Sequence, residues 1–82
     1  VLINYGRNMK YNKLDLHGVR HHEVRNKVIR IVEENWGEGM EVEIVTGNSD
    51  EMKSIVGNVL DEYNLDYKVG TFFNPNTIIT NP

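Results

Sequence analysis

Lys13-Leu14-Asp15-Leu16-His17-Gly18 alternates apolar and polar residues with a period of two and ends on glycine. That period belongs to a half-buried strand, because successive side chains leave the backbone on opposite faces. Leu14 and Leu16 are expected to face a core, and Asp15 and His17 to share the other face. Downstream, from about His21 to Trp36, Val24, Val28, Ile31 and Val32 recur at i, i+4, i+7 and i+8. This spacing predicts an amphipathic helix, which Gly37-Glu38-Gly39 closes. Residues 40–47 (Met-Glu-Val-Glu-Ile-Val-Thr-Gly) return to a strand pattern, with Val42 and Ile44 on one side.

Asn48 or Ser49 is a natural N-cap for the next element, and Asn48 with Glu51 has the spacing of a capping box. Met52, Ile55, Val56, Val59, Leu60 and Tyr63 then give the cleanest helical period in the chain, at a cost of about 1 kcal/mol for Gly57. Leu65-Asp66-Tyr67-Lys68-Val69 alternates again. Asn74-Pro75-Asn76 is a turn signal before the β-branched run Thr77-Ile78-Ile79-Thr80, so the last two segments read as a hairpin. The expected class is α/β, in detail an α+β two-layer sandwich of order βαβαββ with two helices on a four-stranded mixed sheet. Residues 1–12 carry no sustained period and read as an N-terminal arm or a short added strand, leaving residues 13–82 as the domain.

The 82 residues suit one domain with a small core. Cysteine is absent, which excludes disulfide staples and thiol nucleophiles and fits a reducing compartment, with the cytoplasm as the expectation. No apolar run approaches the roughly 18 to 20 residues needed to span a bilayer, so no membrane association is expected. A start on Val1 rather than methionine suggests a trimmed product or an excised fragment of a larger chain, and a protein partner is a separate expectation. Net charge is −3, yet residues 1–32 carry seven basic and two acidic residues, while residues 33–82 carry two basic and ten acidic. A +5 half beside a −8 half is compatible with one basic face and a polyanionic partner.

The two strand-to-helix junctions, Asp15-Leu16-His17-Gly18 and Thr46-Gly47-Asn48-Ser49, should lie side by side if the first two strands are parallel. Helix N-termini at such an edge present unpaired N–H groups and partial positive charge to an anion. Asp15 and His17 can form a carboxylate and imidazole pair able to take or give a proton, whereas the plainer alternative is a local backbone bond from Asp15 and a half-exposed His17. Gly18, Thr46, Gly47 and Asn48 are candidates to cradle phosphate, with Arg20, Lys27 and Arg30 along the first helix to steer it. His17, His21, His22 and Glu23 cluster in sequence without a recognised metal spacing, and no metal ligands are assigned. Trp36 and the Phe72-Phe73 pair are expected to pack in the core or at its edge.

Leu-Asp-Leu-His-Gly at 14–18, followed by an amphipathic helix, a strand ending in Thr46-Gly47, a second helix and a terminal hairpin, resembles the small MutS-related (Smr) domain over roughly residues 13–80. The resemblance implies a nucleic-acid-binding domain acting on DNA or RNA, in several members a DNA-nicking or RNA-cleaving endonuclease. It implies a catalytic role for Asp15 and His17 and places Thr46 and Gly47 on the first half of the second motif, Thr-Gly-x-Gly. The last glycine of that motif is Ser49 here, and Asp50 and Glu51 follow. Two carboxylates at that helix start repel phosphate, so either a divalent cation (magnesium or manganese) assists binding or the domain is a nonenzymatic module for nucleic acid or protein.

Overall fold

The computed structural model describes residues 12–70 and 74–82; the expected arm, up to residue 11, and Phe72-Phe73 lie outside them. Six elements follow in order: β1 (Lys13–Asp15), α1 (His21–Glu34), β2 (Val42–Val45), α2 (Asp50–Glu62), β3 (Tyr67–Val69) and β4 (Thr77–Thr80). The sheet order is β1-β2-β4-β3. β1 and β2 run parallel with Leu14 opposite Ile44, and β4 runs antiparallel to both β2 and β3. The expected βαβαββ order and mixed four-stranded sheet are what the chain forms.

Both helical stripes become core. Val24, Val28, Ile31 and Val32 of α1 and Met52, Val56, Val59 and Leu60 of α2 are buried with Leu16, Val42, Ile44 and Ile78 from the sheet side. Leu14, Ile55, Tyr63 and Tyr67 pack against that cluster while keeping some exposure. Removing these side chains from water drives the assembly, at about 25 cal/mol per Å² of apolar surface. Asp15 and His17 are exposed, as the alternation requires.

The elements are shorter than the sequence pattern alone suggests, because polar groups end them first. α1 stops at Glu34, and Asn35 turns inward as the C-cap, fully buried, with its side-chain amide donating to the Ile31 carbonyl at 2.9 Å. Trp36 therefore falls beyond the helix; it is 51 % exposed and packs its ring on Tyr63 at 5.9 Å between centroids, an edge position. The N-cap of α2 is Ser49, whose hydroxyl accepts the Met52 N–H at 3.0 Å. The capping box expected between Asn48 and Glu51 does not form: with Ser49 as the cap, Met52 stands at the third helical position and has no side-chain acceptor to return the bond.

The far end of α2 closes with a Schellman arrangement. Asn64 has φ +57°, its N–H reaches the Asp61 carbonyl at 3.0 Å, and the Leu65 N–H reaches the Leu60 carbonyl at 3.0 Å. This turn throws the chain back into β3. Gly57, buried in mid-helix, has a packing reason: a Cβ there would lie 2.7 Å from the Tyr67 hydroxyl oxygen and 3.4 Å from its ring. Gly57→Ala alone is expected to leave stability within about 0.5 kcal/mol, since better helix propensity is offset by displacing the tyrosine tip. In a Tyr67→Phe background the same change should stabilise by roughly 0.5–1 kcal/mol, close to the full helical preference for alanine. A double-mutant cycle by urea unfolding reads the coupling; independent effects of the two changes would refute this account of Gly57.

Candidate functional site

The parallel pairing of β1 and β2 brings the two strand-to-helix junctions together. The Leu16 N–H donates to the Val45 carbonyl at 2.9 Å just beyond β1. Across the gap, His21 Nδ1 at the start of α1 lies 3.1 Å from Glu51 Oε2 at the start of α2. The juxtaposition expected from the sequence is therefore present.

Within the first junction, the chain reverses through Leu16-His17-Gly18-Val19, where the Val19 N–H donates to the Leu16 carbonyl at 3.0 Å. Gly18 takes φ +79°, the conformation that a type II turn asks of its third residue and that glycine adopts without strain. Asp15 Oδ1 accepts the backbone N–H of His17 at 2.9 Å. The carboxylate thus holds the turn rather than the imidazole, and among the described residues the His17 ring has no hydrogen-bond partner. The pairing of Asp15 with the ring, one of the two sequence readings, is replaced by the local backbone bond, because a carboxylate two residues upstream meets the N–H before it meets the ring.

The second junction is turned inward. Thr46 is 3 % exposed, and its hydroxyl donates toward the Asn76 and Gly47 carbonyls at 3.1 Å each. The same Asn76 oxygen accepts the N–H groups of Thr46 at 2.9 Å and Gly47 at 3.2 Å. The donors that Thr46 and Gly47 would offer to a phosphate are consequently engaged with the turn before β4, an arrangement to which Asn76 contributes only a backbone carbonyl and so leaves no side-chain signal. Asn48 is exposed beside them. Glu23 in the first turn of α1, and Asp50 and Glu51 in that of α2, already place negative charge at both helix starts.

The expected basic series divides in two. Arg20 is the N-cap residue of α1, without a side-chain cap, and stays at the junction. Lys27 and Arg30, roughly 10 and 15 Å farther along the helix axis at about 1.5 Å per residue, join Lys13, Leu14, Ile31 and Glu34 around a groove of about 350 Å³ between α1 and the edge strand β1. Lys13 was not singled out by the sequence, since only the sheet order makes β1 an edge and sets its first residue beside α1. A larger hollow of about 560 Å³ lies by β3, where Glu41, Asp61 and Asp66 oppose a single Lys68. Those carboxylates repel a polyanion, whereas the smaller groove has three basic residues and one acidic in its lining.

Arg25, also basic and on α1, is committed elsewhere. Its guanidinium makes a two-pronged bond to Glu62 on α2, at 2.7 and 2.5 Å. The hydrogen bonds to Arg25 hold the Glu62 carboxyl below the ordinary carboxylate value, and the partner pushes the arginine further up. A carboxyl depressed in the folded state contributes stability above its unfolded pKa and loses it as pH falls through the folded one. Unfolding free energy is expected to decline on acidification below the normal carboxylate range, and Glu62→Gln to flatten that part of the slope, as measured by urea titrations across pH.

Among the described residues no three or more His, Asp or Glu side chains converge, His21 faces Glu51, and His22 Nε2 stands 3.8 Å from its neighbour Glu23. The described residues also include no helix long and apolar enough to cross a membrane. Compared with protein-family models, with curated proteins and with solved structures, the chain finds no match in any of the three.

Proposed function

We propose that this chain is an Smr-like nucleic-acid-binding domain that presents Asp15 and His17 to a phosphodiester. The observation that carries the reading is the exposed His17 ring, without a partner among the described residues and set by a glycine turn at an edge where two helix N-termini meet. A neutral imidazole there can take the proton from an attacking hydroxyl, either water or a ribose 2′-OH, as its oxygen bonds to phosphorus. The bond from phosphorus to the leaving oxygen then breaks, and the imidazolium returns a proton to that oxygen. Asp15 acts through the backbone, fixing the turn that aims His17. Arg20 stands at the same edge, while Lys27 and Arg30 attract the strand farther along α1.

A second reading, binding without scission, is favoured by one specific observation. Thr46 and Gly47 give their donors to Asn76, so the second junction offers little to a developing negative charge. The two readings separate in one assay: supercoiled plasmid and a structured RNA are incubated with the protein in magnesium, in manganese and in chelator, with a gel shift from the same tubes. Scission in any of these supports the nuclease, a salt-sensitive shift without scission supports the binding module, and neither result at low salt would overturn the nucleic-acid reading altogether.

A further inference from the structure

The groove between β1 and α1 has features that phosphate attraction alone does not explain. Its lining includes the apolar Leu14 and Ile31, and its charged residues are Lys13, Lys27 and Arg30 together with a single acid, Glu34. A surface serving only the phosphate backbone needs neither an apolar lining nor a carboxylate. Glu34 is held by one edge: Arg30 Nε donates to its Oε2 at 3.2 Å, while Oε1 has no partner among the described residues. The carboxylate is 42 % exposed and the arginine 81 %, so the pair is open to a ligand.

These three kinds of chemistry match the three parts of an unpaired nucleotide. The half-buried Leu14, with the alkyl stems of the lysines, offers apolar cover to a base face above the buried Ile31, the lysine and arginine heads meet phosphate, and a carboxylate oxygen accepts from an exocyclic amine, as Glu and Asp do toward the amine of cytosine. At about 350 Å³ the groove is at the lower end of the range of small-ligand sites, a size for one or a few nucleotide units rather than for a duplex. In a duplex the bases are stacked inside and their faces cannot reach Leu14. We propose that this groove seats an unpaired, amine-bearing base of a single-stranded polynucleotide, with Lys13, Lys27 and Arg30 on its phosphates and Glu34 favouring an exocyclic amine over the O4 carbonyl that thymine and uracil carry at that position.

The inference rests on the nucleic-acid reading above and narrows it to a substrate class. Lys13 lies four residues before His17, roughly 13 Å along an extended chain at about 3.3 Å per residue. That span corresponds to a few nucleotide units of one strand, even at the ~3.4 Å axial spacing of a stacked one. One strand can therefore occupy the groove and the Asp15–His17 edge together, with the groove serving as an anchor away from the scission point. Glu34 and Lys13 are thus specificity and anchoring residues, distinct from the candidate catalytic His17.

Fluorescence anisotropy with labelled oligo(dC), oligo(dT) and a mixed-sequence duplex, and with oligo(C) and oligo(U) RNA, tests this. Expected are a three- to tenfold preference for C over T or U, weaker duplex binding, and a preference that shrinks below twofold in Glu34→Gln, whose amide can both donate and accept. Lys13→Glu should weaken every single strand about tenfold and lower the salt slope by about one, with circular dichroism confirming the fold. Duplex bound as tightly as single strands, or a C-over-T preference unchanged in Glu34→Gln, overturns the inference while leaving nucleic-acid binding intact. No binding of any probe at low salt overturns both.

Discussion

His17→Ala is expected to reduce phosphodiester scission by roughly 10²- to 10⁴-fold, the usual contribution of a positioned general acid or base, while oligonucleotide affinity changes by less than about twofold. The separation follows from where the side chain stands. His17 is exposed in a turn whose backbone bonds, to Asp15 Oδ1 and between Val19 and Leu16, involve main-chain atoms that alanine retains. The fold therefore survives, and the basic groove is unaltered. Single-turnover cleavage rates and equilibrium anisotropy on the same preparation measure the two quantities. Wild-type scission that persists in the variant would remove His17 from the chemistry and leave Asp15 as a turn residue only. Asp15→Asn is the companion: its amide oxygen can still accept the His17 N–H, so it should retain most of the activity that Asp15→Ala loses.

Leu16→Ala should be the most damaging single substitution near the site. Leu16 has no exposure and sits between Asp15 and His17, its N–H on the Val45 carbonyl and its own carbonyl on the Val19 N–H. Truncating a fully buried leucine costs about 2–5 kcal/mol through lost transfer energy and the cavity left behind. A domain of this size has roughly 4–12 kcal/mol in total at about 0.05–0.15 kcal/mol per residue, so the loss is a large share of its stability. The midpoint of urea unfolding should drop steeply with little change in slope. Leu14→Ala, on the same strand but only partly buried, should cost clearly less. Equal losses at the two positions would contradict the packing described for β1.

The alternation at residues 13–18 and the stripe Val24, Val28, Ile31, Val32 were legible because they reflect which side of each element meets the core, and burial follows them residue by residue. The sequence of elements and the meeting of the two junctions followed from the same logic. Three things were not legible. Element ends were set by individual polar groups, Asn35 and Ser49, whose competition with neighbouring caps is decided by backbone geometry. Asp15 was read with two alternatives, and only its bond to the His17 N–H decides between them. Asn76 and Lys13 acquire their importance from the strand order β1-β2-β4-β3, which puts residues distant in the chain beside the site and leaves no local pattern.

The Asn76 carbonyl accepts from the Thr46 N–H, the Gly47 N–H and the Thr46 hydroxyl. One oxygen thereby locks the end of β2 to the turn that opens β4, and neither amide proton can meet solvent while that lock holds. In deuterated buffer, Thr46 and Gly47 should exchange together, at the rate at which the turn around Asn76 lifts away, and more slowly than exposed amides such as that of Asn48. The hairpin at the chain's end and the edge beside His17 thus form one cooperative unit, and any ligand that borrows the Gly47 amide must first spend energy to open it.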